Sequence, residues 1–144
     1  MEKNSALESL VRKVLSLSLN NCPIAIAGLR EIVKSSLSFL KKTDRLALTT
    51  AIDEVVTNII RHGFTDGKGE LKIDIYRSPH KVKMVIEDSG RPFDPTQVRP
   101  KSYTELIEEE IEGRLGLRLL HQLVDQIHYQ FRRGKNRLIL EKHL

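Results

Sequence analysis

Ala51-Ile52-Asp53-Glu54-Val55-Val56-Thr57-Asn58-Ile59-Ile60-Arg61-His62-Gly63 sets apolar residues at helical intervals with polar ones between them. Together with Leu48, the residues Ala51, Ile52, Val55 and Ile59 form the buried stripe of one helix. At about 100° per residue, Glu54 and Asn58 lie about 40° apart beside that stripe, at the border of core and solvent. His62 continues the same four-residue spacing. A carboxylate and an amide oxygen on one ridge can hold a hard cation and a water or hydroxyl together. Mg²⁺ keeps several waters and accepts phosphate oxygens, so a single protein ligand can suffice. Taken alone, the ridge reads more simply as a solvated helix face with an i,i+4 polar pair.

Toward the N-terminus, Thr43-Asp44 offers an N-cap for this helix. An earlier helix starts near Pro23 and carries Ile26, Leu29, Val33, Leu37 and Leu40. Leu15, Leu17 and Leu19 alternate with Ser16 and Ser18, the pattern of a half-buried strand. Leu7, Leu10, Val11 and Val14 have helical spacing, which leaves that strand's start open and residues 1–12 as a flexible or short helical lead. Toward the C-terminus, Gly63 to Gly69 is a turn region. Leu71, Ile73 and Ile75, then Val82, Met84 and Ile86, make a hairpin about Ser78-Pro79-His80. A loop from Asp88 to Pro95 leads into an acidic stretch, where Leu106 and Ile107 hint at a short amphipathic helix. Gly113 to Gly116 then opens a helix carrying Leu117, Leu120, Leu123 and Val124. Strands around Ile127 to Arg132 and Arg137 to Lys142, joined by Gly134-Lys135-Asn136, close the chain. The order β-α-α-β-β-loop-α-β-β predicts an α/β fold, a two-layer sandwich with helices on one face of a mixed, mostly antiparallel sheet.

Two further constellations could carry chemistry. In Glu87-Asp88-Ser89-Gly90-Arg91-Pro92-Phe93-Asp94-Pro95, Asp88 can accept a hydrogen bond from an exocyclic amine such as adenine offers. Gly90 has no Cβ to hold a flat base away; a Gly/Pro turn leaving an edge strand explains the same residues. Gly113-Arg114-Leu115-Gly116-Leu117 places glycines before a helix, where backbone N–H groups attract phosphate. A C-cap followed by a new helix accounts for that pair as well. The acidic stretch ahead of it, residues 96–112, suits a lid over a phosphate site.

Composition narrows the classes. The 144 residues are about one domain's worth, and 40% hydrophobic content is enough for a core. No apolar run approaches the roughly 20 residues that span a bilayer, and Met1 to Arg12 shows no export signal. The lone Cys22 has no disulfide or zinc partner, so a reducing cytoplasm is the expected location. The net charge of +5 is concentrated late: residues 113–144 hold seven cations against two acids, and 96–112 hold five glutamates against two cations. Aromatics are only 5% with no Trp, which argues against nucleic acid, and a phosphate-bearing small ligand is the better use of the localised positive charge.

The order of these three constellations resembles the GHKL (histidine kinase-like) ATPase superfamily, with its Bergerat-type ATP-binding fold. Glu54-Val55-Val56-Thr57-Asn58 looks like its N box, Asp88-x-Gly90 its first glycine box and Gly113 to Leu117 its second. The string from Ala51 to Gly63, and the tail from Gly116-Leu117 through Val124-Asp125 to Asn136-Arg137-Leu138, look most like the anti-sigma factor serine/threonine-protein kinase branch. The resemblance covers residues 13–144 and implies a single ATPase domain using ATP and Mg²⁺. It implies Asn58 as the Mg²⁺ ligand, Glu54 as the base near the γ-phosphate, and Asp88 with Gly90 at the adenine. It also places His62, Pro92, Phe93, Gly113, Arg114, Leu115, Gly116, Leu117 and Asn136 around the nucleotide. Two positions depart from the pattern: Arg114 stands for the second glycine of Gly-Gly-Leu-Gly-Leu, and Asn136 for the threonine often found near the adenine.

The function so implied is a serine kinase that sequesters a sigma factor and phosphorylates an anti-anti-sigma (STAS-type) partner, working as a homodimer without direct nucleic-acid or membrane contact. The alternative is a regulatory module of the same fold that binds nucleotide without catalysis. Glu54 discriminates, because a pure binder needs no base. A sensor-kinase fragment fits less well, since residues 1–12 leave no room for a helix pair bearing a phosphorylatable His.

Overall fold

Alternation of apolar and polar residues builds the sheet of this chain, whose computed structural model describes residues 10–20, 23–64, 68–94, 104 and 116–144. The elements in order are β1 (Arg12–Asn20), α1 (Pro23–Ser36), α2 (Lys42–Asn58), a π-helical turn (Ile59–Gly63), β2 (Glu70–Arg77), β3 (Lys81–Asp88), α3 (Gly116–Leu123), β4 (Gln126–Arg132) and β5 (Lys135–His143). The five strands lie in the order β1-β2-β3-β5-β4. Every pairing is antiparallel, so the expected mixed character of the sheet is corrected to a wholly antiparallel one. Helices pack on one face, as the two-layer expectation requires.

The core lies between the layers. Leu71, Ile73, Ile75, Met84, Ile86 and Leu140 from the sheet meet Val33, Leu37, Leu48, Ala51, Ile52 and Val55 from the helical side. Each of the larger apolar side chains so removed from water contributes about 1.5–3 kcal/mol. The outer face is wet, as one face of an antiparallel sheet can be. Arg137 pairs with Glu87 at 3.3 Å and Lys81 with Glu141 at 3.7 Å there.

Several boundaries differ from the sequence expectation for local reasons. The helical stripe through Leu37 and Leu40 outruns α1: the Leu40 N–H bonds to the Leu37 carbonyl at 3.0 Å in a tight turn that still buries both leucines. Thr43-Asp44 is not the cap of α2. The extended residue before the helix is Lys41, which makes no side-chain cap bond, and Asp44 lies in the first turn near the positive end of the helix dipole. The closing hairpin turns on Arg133 and Gly134, whose φ values are 55° and 75°. A two-residue turn with both φ positive matches the twist of its strands, so Lys135 and Asn136 belong to β5 rather than to the turn. The acidic segment 96–112, apart from Thr104, lies outside the described residues, as do residues 1–9.

Candidate functional site

Side-chain alternation carries Asp88 and Asn136 to the helix side of the sheet, where they face each other across the β3–β5 pair. They end a row otherwise made of Met84, Ile86, Leu138 and Leu140. Both are buried, at 6% and 4% exposure. Buried polar groups must find partners, and these do. Asp88 Oδ1 accepts from the Gly90 N–H at 2.8 Å and from Asn136 Nδ2 at 3.0 Å. Asn136 Nδ2 also reaches the carbonyl oxygens of Arg91 at 2.8 Å and Gly90 at 3.2 Å. On its other side, Asn136 Oδ1 accepts from the Tyr129 hydroxyl and from the Phe93 N–H at 3.2 Å. The Phe93 N–H is shared with the Tyr129 oxygen, also at 3.2 Å.

Burial pushes the Asp88 carboxyl above its ordinary value, while the hydrogen bonds from Asn136 and Gly90 pull it back. Burial likewise raises the Tyr129 phenol.

The helix α2 delivers the other wall. Its last turn widens, with the Phe64 N–H reaching the Ile59 carbonyl at 3.2 Å, and π-type turns of this kind recur at functional sites. The turn brings Gly63 to the loop after β3, where the Arg91 N–H donates to the Gly63 carbonyl at 3.0 Å. Between these elements opens a cleft with apolar walls from Val55, Ile59 and Leu138. Asn58, Asp88, Tyr129 and Asn136 supply its polar groups. Apolar walls with one buried carboxylate suit a flat base bearing an amine. Glycine at position 90 is required by packing inside the protein, since a Cβ there would stand 2.8 Å from both Asp88 Oδ1 and the Gly63 carbonyl oxygen. Among the described residues, no three His, Cys, Asp or Glu side chains gather to hold a metal. Asn58 lines the cleft, and an amide oxygen is a ligand type that a hard cation accepts.

The structure thus brings Asn58, Asp88, Gly90, Phe93 and Asn136 together. Glu54 is half-buried one turn before Asn58 and is not part of the cleft wall. Pro92 is exposed, and Phe93 lines the cleft while remaining 42% exposed. The backbone of His62 lies in the π-turn, and its side chain is outside the described residues. Gly113, Arg114 and Leu115 are outside them too; Gly116 and Leu117 begin α3, with no description of their side chains. Sequence reasoning missed Tyr129 and the part played by Gly63. The available signal for Tyr129 was its place beside Ile127 in the alternation of β4, an aromatic with a polar tip on a core-facing row.

The profile of the histidine kinase-like ATPase domain matches residues 19–142. The chain belongs to this family. Among its relatives, serine/threonine-protein kinase BtrW of Bordetella bronchiseptica is 32% identical over 100 residues, covering 69% of this chain and 70% of that one. Serine-protein kinase RsbW of Bacillus velezensis is 28% identical over 60% of this chain and 58% of its own. The RsbW of Staphylococcus aureus is 34% identical over 54% and 52% respectively. The chain therefore spans little more than half the length of these RsbW relatives. Membership in a histidine kinase-like ATPase family implies use of ATP, which agrees with a buried carboxylate in an apolar cleft. No helix among the described residues is long and apolar enough to cross a membrane.

Proposed function

We propose that the chain is an ATP-dependent protein serine kinase that sequesters a sigma factor and phosphorylates a serine on an anti-anti-sigma partner. The observation that supports the nucleotide reading most is the buried Asp88 carboxylate at the cleft, held on Oδ1 by Gly90 and Asn136 with Oδ2 outside both bonds. In this reading Oδ2 receives the adenine amine. Val55, Ile59 and Leu138 exclude water from the faces of the base. Asn58 and Glu54, one turn apart and about 6 Å along the helix axis, would serve the triphosphate.

Asn58 would hold Mg²⁺ through its side-chain oxygen, and the bound ion would supply positive charge to the transferring phosphoryl group. Glu54 orients the attacking seryl hydroxyl and takes up its proton. The kinase names of the relatives support catalysis over binding alone. The partner assignment rests on the likeness of residues 51–63 to the anti-sigma factor kinase branch.

Incubation with labelled ATP, Mg²⁺ and serine-bearing antagonist proteins tests the reading. Label on a serine is the expected outcome. Tight nucleotide binding without transfer would make the chain a regulatory module instead.

A further inference from the structure

The hydrogen-bonding capacity of Asn136 is spent inside the protein. Its Nδ2 faces three acceptors, Asp88 Oδ1, Gly90 O and Arg91 O, at 3.0, 3.2 and 2.8 Å. Its Oδ1 faces two donors, the Tyr129 hydroxyl and the Phe93 N–H. Acceptors on one side and donors on the other also determine which way the amide points, because the flipped amide would set oxygen against the Asp88 carboxylate. A carboxamide has two N–H donors and two oxygen lone pairs, so no capacity remains for a ligand. Tyr129 in turn closes the ring by sharing the Phe93 N–H.

We infer that Asn136 and Tyr129 are positioning residues, a latch that fixes the Asp88 carboxylate and the Gly90–Phe93 backbone for recognition of the exocyclic amine of the base. The inference rests on the nucleotide reading above and changes the role expected of Asn136 from ligand contact to support. Three elements meet in the latch: β3 through Asp88, the following loop through Gly90, Arg91 and Phe93, and the β4–β5 hairpin through Tyr129 and Asn136. With Oδ1 of Asp88 occupied by the latch and by the Gly90 N–H, the carboxylate presents Oδ2 in one orientation. Without the latch it can rotate, and the loop loses its anchors. A buried carboxylate also needs a donor to remain a charged acceptor, and Asn136 supplies one.

The test compares ATP with purine riboside triphosphate, which lacks only the amine, by equilibrium binding to the whole chain. The ratio of the two affinities isolates the bond at the amine. A residue that merely holds the fold lowers both affinities and leaves the ratio alone. In the wild type the ratio should be about tenfold or more, the worth of a hydrogen bond to a charged group. Asn136→Ala should bring it to within about threefold of unity, as expected when such a bond is lost. Tyr129→Phe removes one hydroxyl at constant shape, and it carries the test if Asn136→Ala does not fold; its ratio should fall by about threefold, a modest share of one bond. A wild-type ratio retained in both variants would overturn the latch while leaving the nucleotide site standing. A wild type that binds both equally would overturn the amine contact and the latch with it, and one that binds neither compound would overturn the nucleotide reading itself.

Discussion

Gly90 lies against Gly63 so closely that a Cβ on Gly90 would stand 2.8 Å from the Gly63 carbonyl oxygen and 2.9 Å from its carbon. This contact joins the end of α2 to the loop after β3, and so joins Asn58 to Asp88 across the cleft. The two glycines are not equivalent. A Cβ on Gly63 would meet nothing nearer than 3.7 Å, an ordinary contact. Gly90→Ala should therefore destabilise the protein by about 1–3 kcal/mol, the usual cost of overpacking. Gly63→Ala should stay within about 1 kcal/mol of wild type, since a glycine replaced without strain changes stability little. Urea denaturation of both variants checks the asymmetry, and equal losses would contradict it.

Asp88→Asn should separate stability from binding. The asparagine can keep the Oδ1 acceptor for Gly90 and Asn136, but it removes a buried charge and offers an N–H where the base needs an acceptor. ATP affinity should fall by about 1–3 kcal/mol, the cost of a mismatched buried polar pair. Thermal stability near neutral pH should hold or rise. The sign follows from the raised carboxyl of Asp88: the native state holds this proton more tightly than the unfolded chain. The contribution to stability is therefore full below the ordinary carboxyl value of 3.8 and is lost as pH rises through the higher folded value. The wild type should lose this increment across that window and the variant should not, which denaturation at a series of pH values reads out.

Asn58→Ala should lose Mg²⁺-dependent nucleotide binding while keeping the fold. Its side chain is half-buried at the cleft and not in the core, so no large cavity results. Calorimetry should show a wild-type ATP affinity that rises with Mg²⁺ and a variant affinity that ignores it. Equal affinities with and without Mg²⁺ in the wild type would remove the metal from this account.

Much of this architecture was legible because its causes are local. Leu15, Leu17 and Leu19, like Val82, Met84 and Ile86, alternate at the strand period, and Val55 with Ile59 continues the stripe of α2. Asp88 and Gly90 stood out because an acid leaving a strand two residues before a glycine is a local pattern. Asn136 read as a turn residue, since its neighbours Gly134 and Lys135 hide where the hairpin bends. The positive φ values at Arg133 and Gly134 decide that. The π-turn left no mark, because the apolar stripe runs through Ile59 without a breaker. For Tyr129 the alternation of β4 shows the core-facing row but not the role, which depends on a partner seven residues on and a loop 36 residues back.

The measurement that bears most directly on the account is single-turnover transfer of the γ-phosphoryl from Mg²⁺-ATP to a partner serine, run with the wild type and Glu54→Gln. Glutamine keeps the size of Glu54 and removes its charge, and with it the capacity to take a proton from the attacking hydroxyl. The wild type should transfer label, and Glu54→Gln should be slower by about 10²–10⁴-fold, the contribution of a general base. ATP affinity should be unchanged, because Glu54 stands outside the wall of the cleft. A variant within about threefold of the wild-type rate, well below the general-base range, would contradict Glu54 as the base, and a wild type that binds ATP and transfers nothing would contradict the kinase assignment.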